Sequence, residues 1–242
     1  MTGPAGAPPL GERRPRLLPG WLISGFPGLL APVTERLIGL RVRPNAISVT
    51  SAVVLIAAGA AFGLDRARLG AACLLLSGLL DILDGQVARR GGMASTFGAF
   101  IDSTLDRIGD AILYGGICVY FQTAAGQDAP VLGVLAALGA LTGSFLVSYA
   151  RARAEGLGLD CRVGLAQRAE RVLGVGVPTL IFGAGPQGLL LLVIVGCLAV
   201  LSWITVAQRV AHVFRTTEGR NAGPTTSPGP RAERAPARRN EA

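Results

Sequence analysis

Two pairs of carboxylates stand where an apolar helix would ordinarily carry none. Asp81 and Asp84 are spaced i,i+3, and Asp102 and Asp106 are spaced i,i+4. At helical spacing each pair occupies one face of its own helix. An ionisable side chain in the middle of a membrane segment costs about 2.5–3.5 kcal/mol on insertion scales and is read as functional by default. The turn Arg90-Gly91-Gly92-Met93 separates the pairs. Folding the chain back at Met93 predicts that Asp84 faces Asp102 and Asp81 faces Asp106, roughly 12 Å from the turn at about 1.5 Å per residue. Four carboxylates so placed repel one another unless cations neutralise them. A set of oxygens with no His or Cys suits Mg²⁺, Mn²⁺ or Ca²⁺. Gly85, Ala88 and Gly98 lie near one turn from these carboxylates, and their small size leaves room for a ligand beside the metals.

The full spacing is Asp-x2-Asp-Gly-x2-Ala-Arg-x8-Gly-x3-Asp-x3-Asp. Asp81, Asp84, Gly85, Ala88, Arg89, Gly98, Asp102 and Asp106 fill it. It resembles the signature of the CDP-alcohol phosphatidyltransferase family, and the resemblance covers about residues 40–212. It implies an enzyme that takes CDP-diacylglycerol or a similar CDP-alcohol. A hydroxyl of the acceptor attacks the phosphate bonded to the lipid, and CMP departs. It further implies that Asp81, Asp84, Asp102 and Asp106 hold two ions, Mg²⁺ or Mn²⁺, and that Asp106 accepts the proton of the attacking hydroxyl. Gly85 and Arg89 resemble nucleotide-contacting positions. Ala88, Gly98, Ser95 in the turn and Asn45 within Pro44–Ile47 join them in the expected CDP-lipid site. Arg89 could instead serve only as a positive anchor at the membrane surface. Asp110, one turn beyond Asp106, reads as a polar partner for Arg107 or another helix rather than as a metal ligand.

The acceptor calls for a second constellation. Arg151, Arg153, Arg168 and Arg171 cluster around one short connection, and guanidinium groups so gathered suit a phosphate. The run from Ser148 to Glu155, with Arg168-Ala169-Glu170-Arg171, is similar to the phosphatidylinositol-phosphate synthase branch of the family. That likeness implies inositol phosphate as acceptor. Glycerol 3-phosphate, another anionic alcohol, is the alternative within the family. The same arginines could only mark one membrane side and pair with Glu155 and Glu170.

The elements that must position these residues are all helical. Half of the 242 residues are hydrophobic and the mean hydropathy is +0.50, which fits an integral membrane domain. A net charge of +8 carried entirely by Arg follows the positive-inside rule better than it fits nucleic acid, so no nucleic-acid partner is expected. Cys73, Cys118, Cys161 and Cys197 are scattered and form no C-x-x-C, which argues against a zinc site or a disulfide framework. No apolar stretch follows the early arginines, so a cleavable signal peptide is not expected.

The expected fold is all-α and integral to the membrane: six transmembrane helices preceded by a short interfacial helix at Ala31–Leu40. The spans are predicted at about 46–64, 69–90, 94–121, 130–154, 166–183 and 188–212. Asn45 or Ser48 is expected to cap the first. Residues 1–30 read as a flexible lead-in, 31–214 as the membrane domain and 215–242 as a disordered basic tail. Arginine is dense in the lead-in, the 89–93 turn, the 151–171 connection and the tail. That pattern places both termini and the mouth of the Asp site on the cytosolic side of the plasma membrane. The steps Gly59/Gly63 and Gly139/Gly143 permit close helix packing and are compatible with a homodimer. Two rival classes remain at this point. An ion or proton transporter could also bury Asp, although no internal repeat is seen. A non-catalytic CDP-lipid scaffold would not need all four carboxylates.

Overall fold

The computed structural model describes residues 28–124, 129–161, 163–164 and 168–221. Within them lie seven α-helices and one short 3-10 turn, and no strand. They are α1 Ala31–Gly39, α2 Pro44–Gly63, α3 Ala67–Arg90, α4 Thr96–Thr123, α5 Pro130–Gly156, α6 Arg168–Phe182 and α7 Leu189–Asn221, with the 3-10 turn Pro186–Gly188 leading into α7. The expected lead-in falls mostly outside the described residues, as does the tail from residue 222.

Among the described residues, four helices are long and apolar enough to cross a bilayer: α2, α3, α5, and α7 together with its 3-10 turn. Their outward faces carry Val53, Leu135, Val200 and Trp203, all exposed. A helix that is apolar on its outer face as well as its inner one belongs in lipid. The chain is a multi-pass membrane protein.

The packed pairs form a closed ring: α2 on α3, α3 on α6, α6 on α7, α7 on α5, α5 on α4, and α4 back on α2. The helix hairpin expected from the sequence therefore differs in one respect. The two carboxylate-bearing helices α3 and α4 are not closely packed side by side; each packs instead on α2. Glycine explains the tightness of one contact. A Cβ on Gly116 of α4 would stand 1.9 Å from the Gly59 carbonyl oxygen of α2, and one on Gly59 would stand 2.5 Å from the Ile112 carbonyl. The second glycine step is also spent inside the chain, where a Cβ on Gly143 would meet the Ser202 Cβ of α7 at 2.7 Å. Neither step remains as support for a homodimer.

The largest core cluster joins Phe62, Leu74, Tyr114, Phe121, Leu191 and Val195. These residues lie along the helices on the side away from the α3–α4 turn, so the polar half of the ring is the half that the turn closes. That turn needs a glycine, since Gly92 sits at φ 64°. Met93 N–H then reaches back to the Ala88 carbonyl at 2.9 Å, which ends α3.

Several boundaries depart from the sequence expectation. Neither Asn45 nor Ser48 caps α2; Arg43 is the N-cap and makes no side-chain bond. Pro44 at the first helical position has no N–H to satisfy, and Ser48 is a full turn inside the helix. The described part of α6, Arg168–Phe182, lies inside the expected 166–183, whose first two residues fall outside the described residues. α7 runs to Asn221, so the expected boundary at 214/215 falls within a helix. Thr216 and Thr217 hydroxyls bond the His212 and Val213 carbonyls there, and the segment keeps its backbone paired.

Candidate active site

α2 is the wall on which the acidic site is built. It carries Ser48 and Ser51, three residues apart and both buried. Ser48 Oγ donates to Asp84 Oδ2 at 2.7 Å, and Ser51 Oγ donates to Asp81 Oδ1 at 2.6 Å. The serine pair and the aspartate pair share the i,i+3 spacing and meet in antiparallel register. Ser51 also touches the Ser77 hydroxyl and carbonyl, each at 3.0 Å. The first two aspartates are thus oriented by a neighbouring helix. The role of these serines is hidden in the sequence, because hydroxyls in an apolar helix read as a cap or as core. Their shared spacing with Asp81 and Asp84 was the available signal.

Three of the four expected carboxylates converge. Asp81, Asp102 and Asp106 offer oxygens that all lie within 4.8 Å of one another. Asp84 does not complete that trio, since its carboxylate is drawn toward Ser48. It nevertheless remains close enough to Asp102 and Asp81 for their charges to interact. Both expected pairings are recognisable: Asp81 meets Asp106 within the trio, and Asp102 is the carboxylate whose charge acts most on Asp84. The difference is that Asp102 also joins Asp81 and Asp106. Chemically the donor set fits a hard divalent cation: it is oxygen-only, half-buried and mutually repulsive.

The other candidate residues fall into two groups. At the turn, Ser95 caps α4 by accepting from the Gly98 N–H at 3.0 Å. A Cβ on Gly98 would lie 3.3 Å from Asn45 Oδ1, so Asn45, Ser95 and Gly98 are brought together. Arg89 lies along the face of Gly85, where a Cβ would be 3.1 Å from its Nη1. Ala88 is half-buried beside them on α3. These six line one end of the bundle next to the carboxylates. The short helix α1 is fastened to the same end by Thr34, which donates to Gln86 Oε1 at 3.1 Å, and by Glu35, 3.5 Å from Arg90.

The arginines separate by depth. Arg168, at the start of α6, makes an ion pair with Asp81 at 2.5 Å and touches Asp106. Arg171 is buried one turn deeper against Asp110, 3.5 Å away. Asp110 thus has a partner on another helix, in line with the expectation from the sequence. Arg151 is exposed and pairs with Glu155 at 2.8 Å, and Arg153 is exposed on the same helix end. The structure does not draw Arg151 and Arg153 onto the carboxylates. A further basic residue went unnoticed in the sequence. Arg209 of α7 is buried and donates to the Val163 carbonyl at 2.9 Å and to the Val147 carbonyl. With His212, which meets the Asp160 carbonyl at 3.0 Å, it fastens the connection that leads into α6. A lone arginine within the last apolar run was its only signal.

A trio of carboxylates inside a polytopic helical bundle, with guanidinium groups beside it, defines a membrane enzyme of phosphate-ester chemistry. The chain belongs to the CDP-alcohol phosphatidyltransferase family, whose profile matches residues 41–214. It is 39% identical over 185 residues to an archaetidylinositol phosphate synthase of Methanothermobacter thermautotrophicus, covering 76% of this chain and 88% of that one. It is 34% identical over 203 residues to a phosphatidylinositol phosphate synthase of Cutibacterium acnes, covering 81% and 97%. Among solved structures, phosphatidylinositol phosphate synthase of Mycobacterium tuberculosis with CDP-DAG bound superposes with a TM-score of 0.65 at 32% identity, covering 84% of this chain and 97% of that one. The same enzyme in complex with manganese and citrate gives a TM-score of 0.65, covering 84% and 92%.

Proposed function

We propose that this protein transfers the phosphatidyl group of CDP-diacylglycerol to a hydroxyl of inositol phosphate, forming phosphatidylinositol phosphate and releasing CMP. The observation that carries it is the junction of Asp81, Asp102 and Asp106 with Arg168. One side of that junction suits a cation-bound diphosphate, and the other suits an acceptor phosphate. Relatives of two lipid types share inositol phosphate in their names. Their agreement supports the acceptor more than it supports the lipid tail.

In the proposed reaction the acceptor oxygen forms a bond to the phosphorus that carries diacylglycerol. The bond from that phosphorus to the bridging oxygen breaks, and CMP leaves with the electron pair. Asp81, Asp84, Asp102 and Asp106 would hold two ions, Mg²⁺ or Mn²⁺. Bound there, such ions neutralise the diphosphate and the charge that gathers on the leaving CMP. Asp106 takes the proton of the attacking hydroxyl, since it is the carboxylate that α4 presents on the side of Arg168. Ser48 and Ser51 hold Asp84 and Asp81 in place. Asn45, Gly85, Ala88, Arg89, Ser95 and Gly98 form the face for the cytidine nucleotide, where small residues admit its close approach. Arg168 supplies the guanidinium nearest the acceptor phosphate, with Arg151 and Arg153 at the rim and Arg171 beneath.

Six membrane crossings follow if α4 and α6 cross along with the four apolar helices, a reading supported by the closed ring. α4 has the length at 28 residues but carries the charges of the site. The described part of α6 has 15 residues, about 22 Å of helix, shorter than a bilayer's hydrocarbon core. The arginine distribution supports a plasma-membrane enzyme whose site opens to the cytosol. A homodimer would have to use the outer apolar faces. Residues 31–214 serve as the catalytic domain in this reading.

Purified protein supplied with CDP-diacylglycerol, Mg²⁺ and inositol phosphate should release CMP. A protein that releases none with any small alcohol acceptor would be a scaffold or a transporter instead.

A further inference from the structure

We propose that Asp110 is a positioning residue for acceptor recognition. Together with Ser144 it anchors Arg171, and thereby fixes the face of α6 from which Arg168 reaches the site. The inference rests on the reading of Arg168 as an acceptor contact. Asp110 lies outside the eight-residue signature, yet it is 6% exposed and its partner Arg171 is 5% exposed. Asp110 Oδ2 accepts a hydrogen bond from Ser144 Oγ at 2.5 Å, and Arg171 Nη2 stands 3.5 Å from the same oxygen. The group ties α4, α5 and α6 together inside the helical ring.

Its placement gives it a use. Asp106 and Asp110 are one turn apart on α4, and Arg168 and Arg171 are nearly one turn apart on α6. The two helices therefore meet through two carboxylate–guanidinium rungs. They are not neighbours in the ring, since α6 packs on α3 and α7. The rungs are what bring the first turn of α6 toward α4. The lower rung is buried, with side-chain exposures of 6% and 9%, while the upper rung is open to ligand at 22% and 14%. A cavity of about 10 Å³ beside them has Asp110, Arg168 and Arg171 in its lining. A buried ion pair adds little net stability, but breaking one leaves a stranded charge, and its best attested use is to fix a register. Loss of the lower rung lets the first turn of α6 shift. A misplacement of about 1 Å costs up to about a hundredfold in a positioned reaction.

Asp110→Asn keeps the shape and loses the charge; Ser144→Ala removes only the donor to Asp110. The test measures KM for inositol phosphate and for CDP-diacylglycerol separately, in both variants and in a cycle with Arg171→Ala. Asp110→Asn is expected to raise the acceptor KM about tenfold and to move the CDP-diacylglycerol KM less than about twofold. In an Arg171→Ala background it should add almost nothing, because both changes break one link. Should Asp110→Asn fail to fold, Ser144→Ala must still raise the acceptor KM selectively. Equal rises in both KM values, full additivity with Arg171→Ala, or an unmoved acceptor KM would each overturn the inference. Arg168→Ala separates it from the reading beneath it. If that variant leaves the acceptor KM unchanged, the acceptor assignment itself fails. If it raises that KM while Asp110→Asn does not, only the positioning role of Asp110 fails.

Discussion

Arg168 lies against the carboxylate of Asp106, a residue 62 positions earlier in the chain. Neither the helix that carries Arg168 nor the one that carries Asp106 packs closely on the other. Arg168 bridges the gap by pairing with Asp81 of α3, the helix on which α6 does pack, and touching Asp106 from there. It joins the two halves of the site, the carboxylates of α3 and α4 and the arginines around the α5–α6 connection.

The first prediction concerns the carboxylate trio. Asp81→Asn or Asp102→Asn removes an anionic oxygen from the cluster but keeps the volume. CMP release should fall by at least about a hundredfold, since even outer partners of a metal ligand are worth 10–100-fold. Each variant should still elute as a folded species in detergent. Near-normal turnover by either would remove the cation site from the account.

The second concerns α2. Ser48→Ala and Ser51→Ala keep the carboxylates of Asp84 and Asp81 but remove the hydroxyls that orient them. Mn²⁺ affinity, read by titration calorimetry on the purified protein, should weaken by about 10–100-fold in each. Unchanged affinity would mean that the aspartates are oriented from within their own helix.

The third separates chemistry from binding at Asp106. Asp106→Asn should lower kcat by about 10²–10⁴, the range for a positioned general base, with a far smaller change in the affinity for CDP-lipid. A variant that cannot bind CDP-lipid would show that Asp106 serves mainly to assemble the cation site.

The fourth concerns the α2–α4 crossing. Gly116→Ala would set a Cβ 1.9 Å from the Gly59 carbonyl, whereas Gly63→Ala would meet Val119 at an ordinary 3.5 Å. The first should destabilise by about 1–3 kcal/mol through overpacking and lower the apparent Tm; the second should be tolerated. Equal thermal shifts would place the close contact elsewhere.

The acidic spacing was legible because it is local. Asp81, Asp84, Asp102 and Asp106 sit within two turns of their own helices, and helical periodicity alone brings each pair to one face. The ring order was not legible. Nothing in the periodicity of α3 and α4 says that both will pack on α2: on the α4 side the backbones of Gly59 and Gly116 approach directly and Gly109 receives the Leu55 side chain, and on the α3 side Gly70 receives the ring of Phe62. The roles of Ser48 and Ser51 depend on that packing and were hidden with it. The extent of α7 was underestimated because Arg215 and Glu218 break the apolar pattern without breaking the helix. Asp110 was readable as a partner for another helix, but which helix and which arginine depended on how α5 and α6 pack around α4.

The central claim is the transfer of a phosphatidyl group to inositol phosphate, and its most direct test is acceptor choice. Purified protein with CDP-diacylglycerol and Mg²⁺ would be given inositol phosphate, inositol, glycerol 3-phosphate or serine, with CMP release followed in each. The account predicts turnover with inositol phosphate at least about tenfold above every other acceptor, as the loss of one charged hydrogen bond to the phosphate would require. Equal or faster turnover with glycerol 3-phosphate, or with unphosphorylated inositol, would contradict it.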